Sequence, residues 1–124
     1  MRSTAYRLLT AASIGLLLGV LDIGTAPSAL AQDAAMAAEG KEIAFNRRKG
    51  NCLACHLMDD GTLPGNIGPP LIAMQARYPD KAALRAQIYD ARVKNPSTIM
   101  PPFGPHAIIS ESEIDKITEY VWTL

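Results

Sequence analysis

Cysteine is scarce in this chain: Cys52 and Cys55 are the only two in 124 residues. That is too few for a disulfide-rich secreted scaffold. A surplus of positive charge is also missing, because 12 Lys and Arg face 12 Asp and Glu. Nucleic-acid binders need excess cations to displace phosphate counterions, so that class is set aside. Aromatic residues make up 6% of the sequence, with one Trp and two Phe. A core built from so few large rings is thin, and a bound ligand or metal is a natural supplement. No window alternates apolar and polar residues long enough to read as a strand. There is no internal repeat and no room for a second ordinary core. Turn formers are plentiful by contrast, with nine Gly and nine Pro, so long irregular segments are expected.

The first 31 residues read as an export address. Arg2 and Arg7 precede an apolar stretch from Leu8 to Leu21, and Ala29-Leu30-Ala31 offers small residues where a signal peptidase reads. Cleavage is expected before Gln32, leaving residues 32–124 as one domain in the periplasm with no membrane anchor. As a helix the apolar stretch spans about 21 Å, short of a ~30 Å hydrocarbon core. No cysteine closely follows it, which argues against a lipid anchor, and no paired arginines precede it, which favours export of an unfolded chain.

Along residues 32–124 the apolar spacing predicts an all-α domain. A first helix is expected from about Ala35 to Lys49, with Met36, Gly40, Ile43 and Ala44 on one face and the basic run Arg47-Arg48-Lys49 at its C-terminus. A middle helix begins near Asp80 and buries Leu84 and Ile88, with a shorter piece near Leu71–Arg77. Ser110 and Glu113 form a capping box that opens the last helix, whose inward stripe is Ile114, Ile117, Val121 and Leu124. Two Pro/Gly-rich loops, Gly61–Pro70 and Asn95–Pro105, are too long for a plain bundle and imply something to wrap.

Cys52-Leu53-Ala54-Cys55-His56 carries the chemistry. In an exported chain, C-x-x-C-H reads as covalent attachment of haem c. Thiols two residues apart on one turn reach the two vinyl groups on a single porphyrin edge. The adjacent histidine then supplies the proximal imidazole to iron. A dithiol oxidoreductase would place the pair after a strand, at a helix start, and no strand is visible here. A zinc site needs a fourth ligand, and His106 is the only other histidine.

The distal ligand has several candidates. Met58 is two residues past His56, Met74 sits in a helical piece, and Met36 lies in the first helix. Met100 sits in Asn95-Pro96-Ser97-Thr98-Ile99-Met100-Pro101-Pro102-Phe103-Gly104, where flanking prolines reduce the entropy of holding a sulfur in place. It is the expected ligand, with His106 or an open iron as the alternatives. His/Met ligation raises the reduction potential and leaves no site open for substrate. Pro69, in Gly65–Leu71, offers a backbone carbonyl that would orient His56 through its other ring nitrogen, unless this is an ordinary loop. Arg47, Arg48 and Lys49 form either a solvated helix end or a site for an anion.

Taken together, Gly50–His56, Pro64–Leu71, Asn95–Gly104 and the ending Glu113–Leu124 resemble the SoxX family, the monohaem cytochrome subunits of the SoxAX complex of bacterial sulfur oxidation. The resemblance runs over about Gly40 to Leu124. It implies a cytochrome c fold whose first and last helices cross around one covalent haem, with Cys52 and Cys55 as attachment points, His56 proximal and Met100 distal. It also implies a SoxA partner, coupling of thiosulfate to a cysteine of the SoxYZ carrier, and a small c-type cytochrome as onward electron acceptor. In that scheme the reactive sulfur ligand belongs to SoxA, and this chain carries no catalytic residue of its own. A freestanding monomeric electron carrier is the alternative.

Overall fold

A computed structural model describes residues 28–124. The export segment assigned to residues 1–31 therefore lies almost wholly outside the described residues. Helix α1 spans Ala29–Phe45, α2 Met74–Arg77, α3 Lys81–Tyr89 and α4 Glu111–Trp122, with single 3-10 turns at Cys52–Ala54 and Ala91–Val93. No strand occurs among the described residues, so the domain is all-α, as the spacing predicts. No helix among them is long and apolar enough to cross a membrane.

The first helix departs from expectation at both ends. It starts at Ala29 because the Ser28 hydroxyl accepts from Ala31 N at 3.4 Å and good helix formers follow. It stops at Phe45, four residues early, because Asn46 diverts the chain: its side-chain oxygen accepts from Arg48 N at 2.9 Å, a local bond that competes with helix propagation. Gly50 N then returns to Ile43 O at 3.2 Å, and Asn51 N to Asn46 O at 3.1 Å. Arg47, Arg48 and Lys49 thus lie in an exposed turn rather than in the helix's last turn.

The centre of the fold is the crossing of α1 and α4. At Gly40 the backbones come so close that an added Cβ would lie 1.9 Å from Lys116 O. Ile114, Ile117 and Val121 are buried as anticipated, joined by Thr118 and Tyr120, while Leu124 is only half-buried beyond the helix end. The expected capping box is formed, with Ser110 and Glu113 each satisfying the other's backbone N–H. Among the described residues Thr118 is the one buried polar side chain, and its hydroxyl donates to Ile114 O at 2.8 Å.

Asp80 caps α3 by accepting from Ala83 N at 2.7 Å, which turns Leu84 and Ile88 inward. The outer face of α3 is tied to α4 by ion pairs from Arg85 to Glu111 and Asp115 and from Lys81 to Glu119. Helix α2 is joined to the chain end, where Leu124 O accepts from Met74 N at 3.1 Å. Across the α1–α4 seam, Tyr120 OH donates to Asp59 at 3.2 Å, and Lys41 bridges Asp59 and Asp60. These contacts anchor the start of the Gly61–Pro70 loop against the helix pair.

Candidate functional site

The site begins where α1 ends. Asn51 adopts a left-handed backbone (φ 47°), a conformation Asn tolerates better than most residues. The following turn is closed by Cys55 N and His56 N, both reaching Cys52 O at 3.1 and 2.9 Å. Cys52, Cys55 and His56 therefore share one turn, and both thiols are half-buried and unpaired. Burial pushes the Cys52 thiol up to about 11, the reverse of the lowered thiol found in disulfide-exchange enzymes. Among the described residues no three His, Cys, Asp or Glu side chains gather as a metal cluster, and His106 is exposed in a different turn. A four-ligand zinc site is thus not assembled.

The loop from Gly61 to Pro70 is pinned onto this turn by backbone bonds. Gly65 N reaches Leu53 O, Gly68 N reaches Cys55 O and Leu71 N reaches Leu57 O, each at 2.8 Å. Gly68 lies against the His56 ring, and a Cβ there would fall 2.4 Å from Cε1 and 2.6 Å from Nδ1. Pro69 O stands 2.7 Å from His56 Nδ1. A carbonyl can only accept, so Nδ1 donates to it, and Nε2 is the ring nitrogen left for a ligand. Arg77 Nη1 donates to Pro70 O at 2.8 Å and steadies the neighbouring peptide. Sequence reasoning missed Gly68 and Arg77. The Gly-x-x-Gly-Pro-Pro spacing is the signal that would have found the former.

Met100 sits in a loop fixed at both ends. Asn95 N bonds Ala91 O and Thr98 N bonds Asn95 O, both at 3.0 Å, and Met100 N donates to Thr98 Oγ1 at 3.1 Å. At the far end Phe103 is buried and Gly104 N donates to Tyr89 O at 3.0 Å. Met100 is half-buried against the core, whereas Met58 and Met74 are fully buried within it. Met36 is half-buried on α1.

These residues suit a covalently held haem. Two thiols on one turn, an imidazole oriented by a backbone carbonyl and a loop-borne thioether are the donor set such a group requires. The Gly61–Pro70 and Met100 loops hold Ile67 and Ile99, with Ile72 just past the first, and these are 64%, 71% and 59% exposed. Branched apolar side chains so exposed match the demand of a large flat apolar ligand.

The chain is similar to known proteins in sequence and in fold. The family model described as cytochrome c oxidase, cbb3-type, subunit III matches residues 35–121. Among solved structures, the crystal structure of SoxXA from P. pantotrophus superposes with a TM-score of 0.63 at 26% identity, over 70% of this chain and 80% of that chain. Among curated proteins, an uncharacterized lipoprotein of Aquifex aeolicus (strain VF5) is 35% identical over 75 residues, or 60% of this chain. The chain spans 36% of that relative's length.

Proposed function

The chain belongs to the cytochrome c family described as cytochrome c oxidase, cbb3-type, subunit III, its fold is SoxX-like, and from that premise we propose that it is the electron-accepting subunit of a SoxAX-type complex. When bound, the haem c supplies a one-electron ferric/ferrous couple. Cys52 and Cys55 would hold it as thioethers, with His56 Nε2 as the proximal and Met100 Sδ as the distal ligand. Pro69 O keeps the imidazole in its ligating tautomer and adds to its basicity. Thioether sulfur favours the ferrous state and so suits an acceptor.

In this role the chain takes up electrons released when thiosulfate is joined to a cysteine of a SoxYZ-type carrier. The reactive sulfur ligand stands on a SoxA-type partner, and a small c-type cytochrome takes the electrons onward. Both thiols here are committed to haem, so neither serves as a nucleophile. The setting is the periplasm, reached by an export segment, residues 1–31, removed before Gln32. Residues 32–124 then form a single domain with one haem and no membrane anchor. Cleavage there removes the Ser28 cap and starts α1 at its fourth residue.

The observation that carries the proposal is the pairing of His56 Nδ1 with Pro69 O on the turn that also presents both thiols. The test is purification of the native protein from periplasm with a haem stain. Co-elution with a second cytochrome supports the subunit role. A single species of ~10 kDa that carries haem alone makes the protein a freestanding carrier, and a chain without covalent haem refutes both.

A further inference from the structure

Two cations stand apart from the rest. Among the described residues Lys41, Lys49, Lys81, Arg85, Arg92 and Lys116 each pair with a carboxylate. Arg77 holds Pro70 O, and Lys94 lies over the Tyr78 ring. The side chains of Arg47 and Arg48 make no hydrogen bond, ion pair or cation–π contact among the described residues, and both are exposed. Adjacent like charges left unpaired, where six of the other described cations meet a carboxylate, raise the local positive potential and call for an anion.

Arg47 also stands on the rim of a hollow of about 280 Å³, whose other walls include Phe45, Asn51, Leu53, Thr62 and Leu63. No carboxylate lines it, and the nearby Asp59 and Asp60 are taken by Lys41. Leu63 on the rim is 91% exposed and holds a left-handed backbone, φ 53°. Neither burial nor local preference explains a leucine there, and backbone strain of this kind collects at contact sites. The tip is also held firmly. A Cβ on Gly61 would fall 2.2 Å from the Leu53 side chain, and Gly65 N is bonded to Leu53 O. A rigid tip loses little entropy when it docks.

We infer that this face is the docking surface for an acidic segment of a partner protein, with carboxylates on Arg47 and Arg48 and an apolar side chain seated against Leu63 in the hollow. The inference rests on the proposed subunit role only in requiring a partner. Haem propionates are a poor match for these arginines: a porphyrin tethered through its vinyl edge to Cys52 and Cys55 carries its propionates on the opposite edge.

The test titrates the isotope-labelled holoprotein with a blocked pentapeptide of four glutamates around one leucine, and with its lysine counterpart. Amide shifts within residues 45–54 and 61–65, seen with the acidic peptide alone and suppressed by salt, are expected. Arg47→Gln with Arg48→Gln should weaken binding about five- to ten-fold, as loss of two exposed ion pairs implies. The haem spectrum, reduction potential and melting temperature should not change. Leu63→Gly, which suits the backbone but removes the apolar contact, should also weaken it. Shifts elsewhere, equal response to the basic peptide, or undiminished binding in the arginine variant would overturn the inference. A changed reduction potential in that variant would do so too, by assigning the arginines to haem. A chain without covalent haem counts against the proposed function, and the peptide titration still reads the docking face.

Discussion

Replacing Gly40 by Ala separates two accounts of α1 by sign. If helix propensity ruled, the change would stabilise the protein by about 1 kcal/mol, because glycine is the poorer helix former. At this position the new Cβ would fall 1.9 Å from Lys116 O and 2.5 Å from Lys116 C. Both are backbone atoms of α4, so no side chain can rotate away. Relief requires the two helices to part by roughly 1 Å, a gap that already forfeits a quarter to half of each dispersion contact. The losses fall on Ala44, Ile114, Ile117 and Val121, which are buried along the crossing. Overpacking and lost contact together should cost about 2–4 kcal/mol net. For a domain of this size that corresponds to a melting temperature lower by roughly 10–25 °C. The assay is urea and thermal unfolding of the holoprotein followed by far-ultraviolet circular dichroism, with Ala38→Gly on the exposed face of α1 as control. The control should lose only about 1 kcal/mol. A Gly40→Ala protein as stable as wild type, or more so, would refute the close crossing of α1 and α4.

Gly68→Ala should drive the His56 ring off Pro69 O, lowering haem incorporation or shifting the reduction potential, read by haem quantitation and redox titration; an unchanged holoprotein would detach Gly68 from the site. Met100→Ala should lower the potential and open the iron to added imidazole, whereas an unchanged spectrum would remove Met100 as the distal ligand. The bond from Lys49, with the Ser110 N–H behind it, holds Glu113 down at about 2 against an ordinary 4.5. A carboxyl lowered on folding contributes stability that is complete above its unfolded value and is lost as pH falls through the folded one. Between pH 5 and 2, wild type should therefore lose more stability than Glu113→Gln, which keeps the capping box but not the ion pair. Parallel acid-unfolding curves would contradict this.

What could be read from the sequence depended on whether a feature is local. Helix α4 was legible because its cap and its inward stripe lie within one short stretch, Ser110 to Val121, and α3 because Asp80 and Leu84 announce its start and its face. The ends of α1 were not. Its early stop depends on the Asn46 side chain choosing Arg48 N over the solvent. Its early start falls in Ala29–Ala31, a stretch whose small residues read equally well as a peptidase site. At the site, C-x-x-C-H was visible because attachment chemistry fixes a spacing along the chain. The contact between Pro69 O and His56 was also anticipated, because it joins positions thirteen residues apart in one loop. The seating of Gly68 on the imidazole and the Arg77 tie to Pro70 are local too, and they were missed because the Gly-x-x-Gly-Pro-Pro spacing is a backbone signal and a lone arginine carries none. The hollow beneath Leu63 arises only when the end of α1, the Cys52 turn and the Gly61–Pro70 loop meet, and no periodicity encodes it.

The placement of the site suggests how the chain would divide its work. An acceptor that cycles between two oxidation states reorganises least when its ligands are held alike in both. Each proposed ligand here stands on backbone already tied to another element: the His56 turn to the Gly61–Pro70 loop, and the Met100 loop to α3 through Gly104 and Tyr89. The attachment turn is tied in turn to the end of α1, where Gly50 N meets Ile43 O, and α1 is locked against α4 at Gly40. Ligand geometry thus inherits the stiffness of the helix crossing instead of relying on loop order alone. With both axial positions filled and both thiols used as proposed, a site so constrained would leave no vacancy for sulfur chemistry. Under the proposed ligation the bond-making step must therefore occur on a partner, and what this chain contributes is a fixed potential and a face on which that partner can dock.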